Sequence, residues 1–239
     1  MLDTLPTHSP PAARRAPLID IPVVGWQGQA IDCDGCCHAV LRARGGCEPG
    51  HSCMQDAYAR RIDRFFREHP GLADRHLAHP YFEVRAIAAR HVDLFQLARL
   101  KDDPDETVRL QVALRLPPRQ LPAMARDPHR EVRIRVAQRL ELSQLGLLIE
   151  DPDDEVRLAV ARRLPPGLLT LLLRDRDESV RRVLAERLEM PALWRLAGDP
   201  SARVRHLVAQ RLPVDLLISL GEDPDWSVRW GLEIGRAHV

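Results

Sequence analysis

Residues 151–174 read Asp151-Pro152-Asp153-Asp154-Glu155-Val156-Arg157-Leu158-Ala159-Val160-Ala161-Arg162-Arg163-Leu164-Pro165-Pro166-Gly167-Leu168-Leu169-Thr170-Leu171-Leu172-Leu173-Arg174. This stretch decides the fold because it recurs. Aligned on its first proline, the chain gives Pro80, Pro104, Pro128, Pro152, then Arg176 in the same slot, then Pro200 and Pro224, 24 residues apart each time. An aspartate precedes the slot at Asp103, Asp127, Asp151, Asp175, Asp199 and Asp223. Val84, Val108, Val132, Val156, Val180, Val204 and Val228 follow it by four residues, and arginine is next every time, from Arg85 to Arg229. Alanine columns (Ala89 to Ala209) and leucine columns (Leu116 to Leu212; Leu97 to Leu217) complete a unit copied seven times, the last copy cut short. Such self-similarity marks a repeat protein, in which stacked units share one continuous core.

Each unit is legible physically. Asp-Pro predicts a helix start, with Asp capping free amides and Pro at the first helical position. Glu106 and Glu178 stand where a capping box would place them. Val156, Val160, Ala161 and Leu164 form one apolar stripe on a helix of about 13 residues. Pro165 and Pro166 end it, as Pro117, Pro118 and Pro213 do elsewhere. The remaining residues, such as Leu168, Leu169, Leu172 and Leu173, suit a short return segment. Units of 24 residues are too short for the helix pairs of longer repeats, so a 3₁₀ helix is expected there. The predicted architecture is all-α, a right-handed solenoid of alternating long and short helices.

Outward from the repeats, which occupy 80–239, three further segments are expected. Residues 1–30 are Pro-rich and extended, packing through Ile19, Ile21, Val23, Val24 and Trp26. Residues 31–53 hold all five cysteines. Residues 54–79 carry a helix that closes the open end of the stack, with Ser52 and Gln55 as a capping box and Tyr58, Ile62, Phe65 and Phe66 as its apolar face. At the other end, Trp226, Trp230, Leu232 and Ile234 depart from the repeat and are expected to form a second cap.

Composition excludes several classes. Formal charge is +1, so no global basic bias announces a nucleic-acid binder. The basic charge is nearly all arginine, Lys101 being the single lysine. No apolar run is long enough to span a membrane, and the N-terminus lacks the apolar region of a secretory leader. Five clustered cysteines do not resemble a disulfide framework, which places the chain in a reducing cytoplasm. Neither a phosphate-cradling loop nor a hydrolase or metalloprotease motif is present, and no catalytic constellation emerges, so the chain is not expected to be an enzyme.

The cysteine block reads Cys33-Asp34-Gly35-Cys36-Cys37-His38, then Cys47, then His51-Ser52-Cys53. Glycines at 35, 45, 46 and 50 let the loop fold tightly enough for the thiols to converge. Cys53 is expected at a helix N-terminus, where free amides favour a thiolate, and Arg42 and Arg44 add positive charge. Spacing alone leaves two metal centres open, an iron–sulfur cluster or a structural Zn²⁺. Five cysteines exceed a four-ligand site by one. Cys37 is the expected spare, with Cys37 the alternative to Cys36; His38 and His51 are possible substitutes only in a zinc site.

The arginine columns admit two readings. They could grip phosphates of nucleic acid, or each could pair with an aspartate of its own or the next repeat and hold the stack in register. Near-equal acidic and basic totals (34 and 35) favour the second.

Asp199-Pro200 through Val204-Arg205, Val208-Ala209 and Arg211-Leu212-Pro213 resemble, position by position, the leucine-rich repeat variant family. The cysteine block is similar to the small iron–sulfur module at the N-terminus of some members. The resemblance implies alternating α and 3₁₀ helices in a right-handed superhelix. It also implies a [4Fe–4S] cluster on Cys33, Cys36, Cys47 and Cys53. The functional expectation is a protein-interaction scaffold whose cluster is redox-sensitive or structural. An electron-transfer protein and an arginine-based nucleic-acid binder are the alternatives.

Overall fold

The computed structural model describes residues 21–230. Ile19, Leu232 and Ile234 lie outside them. The regular elements among the described residues are all helical; backbone pairing there is limited to two isolated bridges, Gly25 with Asp56 and Glu48 with Ser52. The chain divides into two compact units, 1–116 and 117–239.

In the first unit, α1 (Ala39–Ala43) lies within the cysteine block and α2 (Ala59–Glu68) follows it. A 3₁₀ segment, Pro70–His76, leads into the repeat helices α3 (Phe82–Ala88), α4 (Leu94–Ala98) and α5 (Glu106–Arg115). α2 packs on α3 and on the 70–76 turn through Ile62, Phe65 and Phe66, all fully buried. Trp26 stacks on Tyr81, ring centroids 5.6 Å apart, and so ties the segment before the cysteines to the first repeat.

In the second unit, α6 (Arg130–Arg139), α7 (Asp154–Arg163), α8 (Glu178–Arg187) and α9 (Ala202–Ala209) stack in sequence. A 3₁₀ segment, Pro118–Met124, precedes α6, and Leu142–Leu148, Pro166–Leu172 and Leu193–Leu196 run between successive helices; the short α10 (Val214–Leu217) takes this role in the last complete copy. The 3₁₀ expectation for the return segment is therefore met in most copies. Columns of valine, alanine and leucine form the core: Val132, Val156, Val180, Ala137, Ala161, Leu145 and Leu169 are all 0% exposed. Burying each such side chain contributes roughly 1.5–3 kcal/mol for the larger residues. Leu116, Leu140 and Leu164 leave the helix with ψ near 140–150°. A following proline enforces that conformation on the residue before it. Leu140 adopts it before Glu141 as well, so neighbouring copies hold the corner even without proline.

Helix starts differ from expectation. The Asp-Pro pair does not cap the helix. Helices begin two residues after the proline slot, and their caps are Asp105, Asp153, Asp177 and Ser201, which accept N–H bonds from the first turn. Glu106 and Glu178 are thus first-turn residues rather than capping-box partners, and the long helices have 7 to 10 residues rather than about 13. The aspartate before the proline slot has another task. Its Oδ1 accepts the N–H two residues on, as in Asp151 to Asp153 at 2.9 Å and Asp175 to Asp177 at 2.9 Å. This closes a side-chain turn that a proline-fixed φ favours. Its carboxylate also meets an arginine of the preceding copy. Arg85 grips Asp103, Arg133 grips Asp151, Arg157 grips Asp175, Arg181 grips Asp199 and Arg205 grips Asp223, each through Nε and Nη2.

The second arginine column points backward. Arg163 donates to the carbonyls of Ala137 and Leu140, both at 2.7 Å, and Arg211 to those of Ala185 and Leu188, both at 2.7 Å. These are carbonyls at helix C-termini, which lack intrahelical donors. The arginines are thus committed inside the repeats, as the near-equal acidic and basic totals favoured over a phosphate-binding surface. Trp226 and Trp230 are exposed rather than folded into a cap.

Candidate metal centre

The cysteine block is a pair of turns joined by α1. Asp32 Oδ1 accepts the N–H groups of Asp34 (3.0 Å) and Gly35 (3.1 Å), curling the chain so that Cys33 and Cys36 share one side. α1 then runs five residues and stops at Gly45, whose φ of +72° is the left-handed conformation that suits glycine. Next comes a miniature hairpin. Glu48 N–H donates to Ser52 O and Ser52 N–H to Glu48 O, both at 2.9 Å, around Gly50 at φ +83°. Cys47 and Cys53 flank this hairpin, so a sequence separation of five intervening residues becomes adjacency.

Helix formation does not begin at Ser52. α2 starts at Ala59, Ser52 Oγ donates instead to Glu68 Oε2 at 2.7 Å, and Gln55 amide approaches the Cys36 sulfur at 4.0 Å. Cys53 consequently has no helix N-terminus to lower its pKa. Its thiol is pushed up to about 12, first by burial, with Asp56, Cys47 and Cys33 adding to the rise against one N–H donor from Gln55. Cys47 is raised to about 11 by burial, then by Cys36 and Cys33, while Arg42 opposes. Burial raises Cys33 too, and Cys36 adds to it. Cys33, Cys36, Cys47 and Cys53 are therefore mutual electrostatic neighbours, and all are free thiols. Thiolates gathered this closely repel one another and need a positive centre among them. Such a donor set fits a multivalent metal group.

Cys37 is exposed, hydrogen-bonds with the Cys36 side chain and faces Arg75. The backbone N–H of His38 lies 3.4 Å from the Cys36 sulfur, while the His38 ring turns away and meets His76, Nε2 to Nε2 at 2.8 Å. His51 pairs with Arg64. Of the two histidines considered as zinc substitutes, His38 is thus engaged by His76 and His51 by Arg64.

The block is anchored by a residue pair that sequence reading missed. Arg61, 0% exposed, donates to Asp56 at 3.1 Å, to Pro22 O at 3.1 Å and to Ile21 O at 2.9 Å. Cys53 N–H in turn donates to Arg61 O at 3.2 Å, so the same residue holds both the leading segment and one thiol. An arginine one residue before an apolar helix stripe gives no signal of burial in the sequence, because its partners come from loops 5 and about 40 residues away.

Residues 23–75 match the family model described as "LRV protein FeS4 cluster", and residues 106–129 and 154–177 match that for the leucine rich repeat variant. The chain is 50% identical over 92 residues to an uncharacterized 27.7 kDa protein in the nifB 3′ region of Rhodobacter capsulatus; the match spans 38% of each chain. It is 46% identical to a solved structure described as "a leucine-rich repeat variant with a novel repetitive protein structural motif", over 84% of this chain and 87% of that one, with a TM-score of 0.79. The periodic core, the 3₁₀ returns and the converging thiols agree with these matches: the chain belongs to the leucine-rich repeat variant family and carries the iron–sulfur module of that family ahead of its repeats.

Proposed function

We propose that this protein is a cytoplasmic, non-enzymatic interaction scaffold that offers its repeats to a protein partner and carries a [4Fe–4S] cluster on Cys33, Cys36, Cys47 and Cys53. The convergence of these thiols from two turns carries the reading. The match of residues 23–75 to the family model described as an FeS4 cluster supports a cluster over a single zinc.

When bound, such a cluster supplies one-electron exchange. The protein's own residues set its surroundings. The His38 N–H and the Gln55 amide approach the Cys36 sulfur, Arg42 offsets thiolate charge at Cys33 and Cys47, and the buried Cys53 anchors the hairpin to α2. Four cysteine ligands leave no open coordination position for a substrate, which supports a non-enzymatic role. The arginine columns are engaged within the repeats, which favours a protein partner over nucleic acid.

The test is protein purified without oxygen. About four irons and four sulfides per chain, with a reversible one-electron signal, are expected, together with partner capture that differs between oxidised and reduced protein. A colourless product with one zinc per chain would overturn the cluster assignment. Capture that is equal in both redox states would reduce the cluster to a structural staple.

A further inference from the structure

Beside the four converging thiols lies a second group of ligand atoms. Cys37, His38 and His76 each offer one donor atom, and the three lie within 4.8 Å of one another. They come from two elements, the turn entering α1 and the end of the 70–76 3₁₀ segment. Both histidines are 6% exposed, while Cys37 opens to solvent. We propose that Cys37, His38 and His76 form a second metal site, distinct from the cluster, that takes a single Zn²⁺ or a similar borderline-soft transition ion.

The chemistry matches the donors. Two imidazoles and one thiolate are ligands that zinc accepts, with Zn–N near 2.0–2.1 Å and Zn–S near 2.3 Å. The imidazole nitrogens now share a hydrogen bond at 2.8 Å. Tetrahedral ligation holds two such nitrogens about 3.3 Å apart, so an outward shift of about half an ångström lets a metal replace the shared proton, the donor ring taking its Nδ1–H tautomer by exchanging that proton with solvent. The Cys37 thiol proton leaves to solvent as the sulfur binds. The rings are already braced for this: His38 packs on Phe65 at 5.0 Å and His76 on Phe66 at 5.5 Å, and both phenylalanines are 0% exposed. Three protein ligands leave a fourth position at the exposed Cys37 side, open to water or an anion.

The proposal rests on the reading that leaves Cys37 out of the cluster. Full-length protein with its cluster intact is equilibrated with ZnCl₂ under nitrogen, passed over a micromolar chelator, and its iron and zinc are counted together. One retained zinc per chain is expected with no loss of iron, and zinc-edge absorption should show one sulfur and two nitrogens. Cys37→Ser, at an exposed position, should lower zinc affinity at least tenfold and leave iron unchanged; His76→Gln should do the same. Absence of retained zinc, zinc gained only as iron is lost, or unchanged zinc in Cys37→Ser would each overturn the site. Loss of iron from Cys37→Ser would instead show that Cys37 serves the cluster, and would overturn this inference along with the ligand set.

Discussion

Arg157 holds Asp175 by two parallel bonds, Nε to Oδ2 at 2.7 Å and Nη2 to Oδ1 at 2.9 Å, while its Nη1 donates to Asp151 O at 2.8 Å and Pro152 O at 3.3 Å. One guanidinium thus closes the turn of its own repeat and clamps the turn of the next. Its side chain is 5% exposed and that of Asp175 3%. Bonds this sheltered are not surface ion pairs of negligible worth.

Removing one partner strands a buried charge. Asp175→Ala is expected to destabilise the second unit by about 3–5 kcal/mol, read as a fall in the urea midpoint. Arg157→Lys keeps the charge but loses the planar fork, and should cost less than Asp175→Ala while remaining measurable. Equal midpoints for the wild type and Asp175→Ala would show that the clamp adds nothing to the stack.

Acid should loosen the last clamp in a defined direction. The hydrogen bond from Arg205 holds the Asp223 carboxyl below the ordinary carboxylate value, against the opposing effect of burial. The unfolded chain therefore takes up this proton at a higher pH than the folded chain. The contribution of the pair is complete above the ordinary value of about 3.8 and is lost as pH falls through the lower folded value. Urea midpoints recorded from pH 6 to pH 2 should fall less steeply in Asp223→Asn than in the wild type. Parallel curves would contradict the assignment.

The cluster ligand set predicts unequal roles for neighbouring cysteines. Cys36→Ser should remove most of the iron and the visible absorption. Cys53→Ser should do so as well, while the backbone bond from position 53 to Arg61 O, which any side chain leaves in place, keeps the hairpin on α2. An iron content in Cys36→Ser equal to that of the wild type would rule out Cys36 as a ligand.

The Arg61–Asp56 pair is fully buried, at 0% side-chain exposure for both partners. Asp56→Ala leaves an uncompensated guanidinium beside the Cys53 backbone, with an expected loss of about 3–5 kcal/mol. Iron should be released faster to a chelator, and a protease should cut more readily within 21–30. Unaltered iron release would separate this pair from the integrity of the metal module.

The fold was legible because repetition converts weak signals into a strong one. Val, Ala and Leu columns recur at fixed offsets, and the buried columns are those residues. The cap was misread because Asp-Pro has two uses, a helix start or a side-chain turn, and local sequence cannot separate them. What decides is Arg157 or its equivalents arriving from the preceding copy, 18 residues back. The cysteine block was legible as a metal module, while the choice of four ligands among its five cysteines came from the family resemblance and not from the spacing. Asp56, Arg61 and His76 gave no signal, since each acquires its partner only when separate loops meet.

The two arginine columns also explain the constancy of the repeat length. Forward clamps span 18 residues and the bonds to helix-end carbonyls span 23 and 26. Both sets thread through the same 24-residue frame. One inserted residue would leave a guanidinium facing the wrong atom on each side of the insertion, whereas duplication of a whole unit leaves every guanidinium matched. Such a chain can change its reach by copying entire units, and its evolution in length is quantised by its hydrogen bonds.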